Sequence, residues 1–231
     1  MTVNFTSWKG ITDGQTYGIP DSVDYHLPMD EGTGTNLFDV IGDADHSLVG
    51  GWGTDAHFGE ISTYDGGGDY AISDDPYDIN GVKASWAGWW RFESIEESAS
   101  RIVMTVDDSS TALDDFWEII FDGPSNIRVN LSDDGDTTTN VIDNISVSTG
   151  TWYFTAISLD GNNVNLYHWD RNQLLDEQSG SANRGTTASA RTMLYNSPGL
   201  ERPTEGDFAE MYGSNETLSK ADFETIWEIT R

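Results

Sequence analysis

Apolar residues in this chain come in short runs, each stopped by a cluster of Gly, Asn, Asp or Ser, with 24 glycines in all. That spacing predicts an all-β sandwich or barrel. Trp86 to Phe92 reads as a strand with aromatics on both faces, hence a central one. Arg101 to Val106 alternates and stops at Asp107-Asp108. Phe116–Phe121 and Asn126–Leu131 flank Asp122-Gly123-Pro124-Ser125, a hairpin turn by its composition. Trp152–Leu159 and Val164–Trp169 flank Asp160-Gly161-Asn162-Asn163 in the same way. Only the end reads as helix: Ser219 can cap, Asp222 stands three residues on, and Phe223, Ile226 and Trp227 recur at helical spacing.

Charge is the second constraint. Forty Asp and Glu face 11 Lys and Arg, a net charge of -29 over 231 residues. Nucleic acids and anionic lipids carry the same sign and are excluded as general partners. Nine Trp, nine Tyr and nine Phe separate the chain from acidic disordered segments, which are poor in aromatics. Only Lys9, Lys83 and Lys220 are lysines. At molar salt the screening length falls to about 3 Å and most of the self-repulsion disappears. The expectation is an extreme halophile's protein, against an acidic mesophilic one. The absence of Cys excludes disulfides and thiol chemistry. No stretch approaches the roughly 18 apolar residues of a membrane span. The first ten residues lack a basic segment followed by an apolar run, so no export signal is expected in them.

Residues 1–24 stand apart. Val3, Phe5, Trp8, Ile11, Tyr17 and Ile19 are scattered among Gly, Thr and Asp without periodicity. Two readings stay open, an extension packed along the domain and an arm that docks onto another subunit; the domain itself would be residues 25–231.

From residue 25 onward the order of segments resembles the laminin-G-like, concanavalin-A-like jelly-roll modules. Tyr25 to Thr35 is similar to the family's opening strand with its acidic-Gly turn, and Phe38-Asp39 through Asp45 to the Asp-rich loop that follows. Tyr64-Asp65-Gly66-Gly67-Gly68-Asp69-Tyr70 resembles its aromatic-Asp-Gly segment, Trp86 to Phe92 its Trp strand, and Gly150-Thr151-Trp152 its Gly-Thr-Trp hairpin. Gly206-Asp207 to Tyr212, with Leu218-Ser219, resembles the closing strand and helix start. Departures are Phe208 after Asp207, where the family often has Glu, and Trp169-Asp170, where it usually has Asn-Gly. The resemblance implies a concanavalin-A-like jelly-roll β-sandwich with a short C-terminal helix. The superfamily serves glycan binding, adhesion, packing and, in some branches, glycosidase chemistry, so fold alone leaves function open.

Glycoside hydrolysis needs two carboxylates about 5–9 Å apart, one with a raised pKa. The enzymatic jelly rolls carry a Glu-x-Asp-x-x-Glu strand; Glu93, Glu96 and Glu97 do not fit it, nor do Glu118 and Asp122. The expectation is therefore no enzyme. The resemblance implies a calcium ion between the early Asp loop and the closing strand, with Asp39 and Asp207 as ligands and Asp69 as a third; the alternative is that these acids form turns or are solvated. The four histidines have no zinc-ligand spacing. For sugar contact the candidates are Trp52 within Gly50-Gly51-Trp52-Gly53, His57, and Trp169 at a hairpin tip; local packing is the alternative for each Trp. A fold of the cell exterior without export signal suggests a subunit of a halophilic virus particle, a capsid decoration, turret or tail-fibre protein, self-associating and attaching to host-surface glycans. A cellular lectin and, behind it, a glycoside hydrolase are the alternatives.

Overall fold

The computed structural model describes residues 18–75, 79–95, 100–106, 116–133, 137–186, 190–196 and 204–231. Its strands are β1 (Tyr25–Leu27), β2 (Asn36–Leu37), β3 (His46–Val49), β4 (Gly51–Asp55), β5 (Gly59–Asp65) and β6 (Tyr70–Ser73). They continue with β7 (Lys83–Ile95), β8 (Arg101–Val106), β9 (Trp117–Phe121), β10 (Asn126–Asp133) and β11 (Thr137–Ser146). The last are β12 (Tyr153–Asp160), β13 (Asn163–Trp169), β14 (Leu174–Ser181), β15 (Arg191–Leu194) and β16 (Thr204–Ser214), before the helix α1 (Lys220–Thr230).

The strands form two eight-stranded sheets. One runs β14-β13-β12-β7-β16-β5-β4, with β1 added beside β16; the other runs β11-β10-β9-β8-β15-β6-β3-β2. Every pairing among the described residues is antiparallel, and the all-β expectation holds. Both hairpins expected from turn chemistry form, β9–β10 and β12–β13. The second is closed by Gly161 at φ 58, a left-handed value that suits glycine.

The period of two sorts the side chains. Trp86, Trp90 and Phe92 of β7 point between the sheets and meet Trp117, Phe121, Phe208 and Leu166. Ala87 and Trp89 of the same strand point outward, into a second apolar layer beneath α1. The strand expected to be central is central, paired with β12 on one side and β16 on the other. Helix α1 seals the outer layer with Phe223, Ile226 and Trp227. A reciprocal capping box starts it: the Asp222 N–H donates to the Ser219 hydroxyl, and the Ser219 N–H donates to the Asp222 carboxylate.

Of the N-terminal 24 residues, 1–17 lie outside the described residues. The described remainder packs along the domain: Ile19 and Val23 are buried in the layer under α1. The docking arm expected from Val3, Phe5, Trp8 and Ile11 falls wholly on residues not described.

Candidate functional site

At one end of the first sheet, β4, β5, β7 and β16 leave a cleft of about 460 Å³, within the range of small-ligand sites. Its lining carries five carboxylates, Asp65, Asp69, Glu93, Glu205 and Asp207. Glycines let its strands approach one another closely. A Cβ on Gly50 would stand 2.6 Å from the Thr63 carbonyl oxygen, and one on Gly206 2.3 Å from that of Arg91. Tyr195, just past β15, fixes the floor from the opposite sheet. It sits at φ 57, unusual for a bulky residue, and its hydroxyl reaches the backbone carbonyls of Arg91 and Asp207.

Beside the cleft, joined to it through Arg91 and Asp207, stands an ion-pair hub centred on Asp55, at the end of β4. Its Oδ1 accepts the His57 N–H at 2.8 Å and an Arg171 N–H at 3.2 Å. Its Oδ2 accepts the Trp152 indole at 3.0 Å and an Arg91 N–H at 3.4 Å. Burial alone would raise the Asp55 carboxyl. The His57 and Trp152 donors, with the Phe58 N–H and Arg171, outweigh it and hold the pKa at about 2. Arg91 lies 5.0 Å over the Trp152 ring and Arg171 5.0 Å over Phe58. Arg91 also donates to Asp207 at 2.5 Å. Burial opposes the charge on Arg91, but that bond and the charge of Asp207 keep its pKa above the ordinary value; burial pushes the Asp207 carboxyl upward against the bond from Arg91. Burial pushes the Asp69 carboxyl upward against its bond from the Asp65 N–H.

The structure therefore brings Asp69 and Asp207 into one cleft, as two of the three residues expected at a metal. Asp39 is elsewhere. Its carboxylate accepts the N–H groups of His26, Ile41 and Ala44 and so shapes the loop before β3. His26 is in register with Tyr212, five residues along β16 from Asp207, or about 16 Å at ordinary strand rise. Asp39 and Asp207 do not fit a shared ion. Among the described residues, no group of three or more His, Cys, Asp or Glu is arranged to hold a metal.

The sugar-contact candidates come apart too. Trp169 is not at an exposed tip: it ends β13 with 1 % exposure, stacked near Trp227 and Phe154, because α1 covers that face. Trp52 is half-buried against the core, its indole donating to the Gly34 carbonyl. His57 is exposed at the β4–β5 turn, with a ring nitrogen 3.1 Å from the Thr230 carbonyl oxygen at the end of α1. Sequence reasoning missed Asp55, Arg91 and Arg171. Their partners are 36 to 116 positions apart, and no local pattern marks them.

The acids weighed for catalysis are also accounted for. Glu118 points away from the core on β9, and its carboxylate is held by Arg101 at 2.7 Å and Asn130 at 2.8 Å; Asp122 pairs with Arg128. Glu96 and Glu97 lie outside the described residues.

The fold is shared with several solved structures. The receptor-binding domain of the botulinum neurotoxin C/D mosaic serotype superposes with a TM-score of 0.64 at 15% identity, over 90% of this chain and 51% of that one. The serotype D binding domain gives 0.63 at 16% identity, over 90% and 52%. Trypanosoma rangeli sialidase with the inhibitor DANA gives 0.67 at 12% identity, over 90% and 33%. The chain thus spans about half the length of the toxin domains and a third of the sialidase, and at these identities the likeness is one of fold. No curated protein sequence matches the chain. A family model does match, over residues 65–222, from the aromatic-Asp-Gly segment to the capping box of α1, and the chain belongs to the concanavalin A-like lectin/glucanase superfamily.

Proposed function

We propose that the chain is a non-catalytic glycan-recognition jelly roll, displayed on the outside of a particle in a molar-salt environment as a capsid decoration, turret or tail-fibre subunit. The observation that carries the reading is the cleft: a concavity of ligand size, floored by glycines, whose rim carboxylates Glu93 and Glu205 can accept hydrogen bonds from sugar hydroxyls. The superfamily and its toxin-domain and sialidase neighbours support carbohydrate as the ligand class. The ion pairs that Arg91 makes with Asp207 and Arg101 with Glu118 support binding over hydrolysis, since each acid is engaged by a guanidinium rather than open to a substrate. The charge of -29 supports a high-salt setting, where a surface of one sign remains soluble without repelling its neighbours.

A glycan array in about 3 M KCl with EDTA tests it. Binding is expected without calcium, and the double variant Glu93→Gln/Glu205→Gln is expected to weaken it at least tenfold. Release of reducing ends from a bound glycan would refute the non-catalytic reading. The absence of any bound glycan would refute recognition itself.

A further inference from the structure

A second concavity lies away from the cleft, on the outer face of β13 and β14. It has a volume of about 340 Å³ and is lined by Asn165, Tyr167, Glu177, Gln178 and Ser179. The pairing register explains its shape. Asn165 stands opposite Ser179 and Tyr167 opposite Glu177, so four side chains form a square on one face. Helix α1 flanks it: Lys220 reaches Glu177 at 2.5 Å, and Phe223 packs 5.8 Å from the Tyr167 ring. The Gln178 amide is already taken by the Asp143 carbonyl and Asp176.

The other groups are not taken. Among the described residues, the side chains of Asn165, Tyr167 and Ser179 have no hydrogen-bond partner. The square therefore offers an amide donor and acceptor, two hydroxyls that can do either, and one carboxylate whose charge Lys220 offsets. An anion would meet Glu177 and, on α1, Glu224, which lies 4.0 Å from Lys220. A metal ion would meet the Lys220 ammonium, which already pairs with both carboxylates. A mixed set of donors and acceptors with little local charge matches a neutral polyhydroxyl ligand. It also suits molar salt, where charge-based recognition is screened within about 3 Å and hydrogen bonding is not.

We propose that Asn165, Tyr167, Glu177 and Ser179, beside Lys220, form a binding site for a neutral saccharide, distinct from the carboxylate-lined cleft. This goes beyond the proposed function, because it gives the module a second contact on another face. Two weak sites on one rigid body raise overall binding to a repetitive surface through effective concentration.

The test is saturation-transfer NMR and calorimetry in about 2 M KCl, with maltotriose, chitotriose and cellotriose as neutral probes and 3′-sialyllactose as the anionic one. Proteins are the wild type, the cleft variant Glu93→Gln/Glu205→Gln, and the cleft variant carrying Asn165→Ala/Ser179→Ala in addition. Tyr167→Phe, which removes one hydroxyl and leaves the packing, guards against misfolding as an explanation. At least one neutral probe is expected to bind the cleft variant, to lose at least tenfold in affinity with the added pair, and to weaken with Tyr167→Phe. Binding that vanishes in the cleft variant would overturn the second site and leave the proposed function standing. Binding that the Asn165 and Ser179 substitutions leave unchanged, or 3′-sialyllactose binding more tightly than every neutral probe, would overturn the assignment. No binding to the wild type would overturn both readings.

Discussion

Replacing Asp55 by Asn tests whether the hub beside the cleft is held by charge. The substitution keeps the shape but turns part of an acceptor into a donor facing Arg91 and Arg171. The side chain is 12 % exposed, so solvent screens the loss only partly. The wild-type carboxyl titrates at about 2 against an ordinary 3.8. At 1.36 kcal/mol per pKa unit, that depression is worth about 2 kcal/mol at neutral pH. For a chain of this length the melting temperature should fall by about 4–8 °C. The sign follows from the direction of the shift. A depressed carboxyl contributes stability that is fully present above pH 3.8 and is lost as pH falls through about 2. The gap between wild type and Asp55→Asn should therefore close across that window. Thermal melts by circular dichroism, at pH 7 and in steps from pH 4 to 2 in about 2 M KCl, read both quantities. A shift below about 1 °C at pH 7, or a gap that stays constant down to pH 2, would refute the hub as an electrostatic element.

Two further outcomes are expected. The melting temperature should drop as KCl is lowered below roughly 0.5 M, where the acidic surface is no longer screened; a melting curve flat from about 0.05 to 3 M would sink the halophile reading. Deleting residues 1–17, and not the buried Ile19 and Val23, should lower the mass measured by light scattering in about 3 M salt if the weakly charged N-terminal segment links subunits. An oligomer unchanged by the deletion would count against it.

How much of this was legible in the sequence depends on the range of the signal. Strand β7, both hairpins and the Ser219 cap were readable because their causes lie within a few residues of one another: alternation, turn chemistry, a capping box. Asp69 and Asp207 could be named through the family's segment order, and the fold did bring them to one cleft. Trp169 misled because its neighbour Asp170 suggests a turn, while its burial is decided by Trp227, far along the chain. Asp39 misled because an Asp in a Gly-rich loop looks alike whether it binds an ion or accepts backbone N–H groups. The square on β13 and β14 was invisible for a related reason. It exists only through the register that sets Asn165 against Ser179.

The placement of β16 has a consequence for how the protein is made. The last strand of the chain lies at the middle of its sheet, between β7 on one side and β5 and β1 on the other. Tyr25 of β1 lies over Gly213, filling the space a side chain there would need. A ribosome adds about 5–20 residues per second, so the opening strand waits roughly 10 to 40 s for its partner to emerge. Until then β12, β13 and β7 have a sheet edge where β16 belongs, and Trp89 has no helix above it. The opening and closing strands of the fold can therefore be joined only after residue 214 has emerged, and a nascent chain halted before residue 204 would expose an aromatic edge that the folded domain covers.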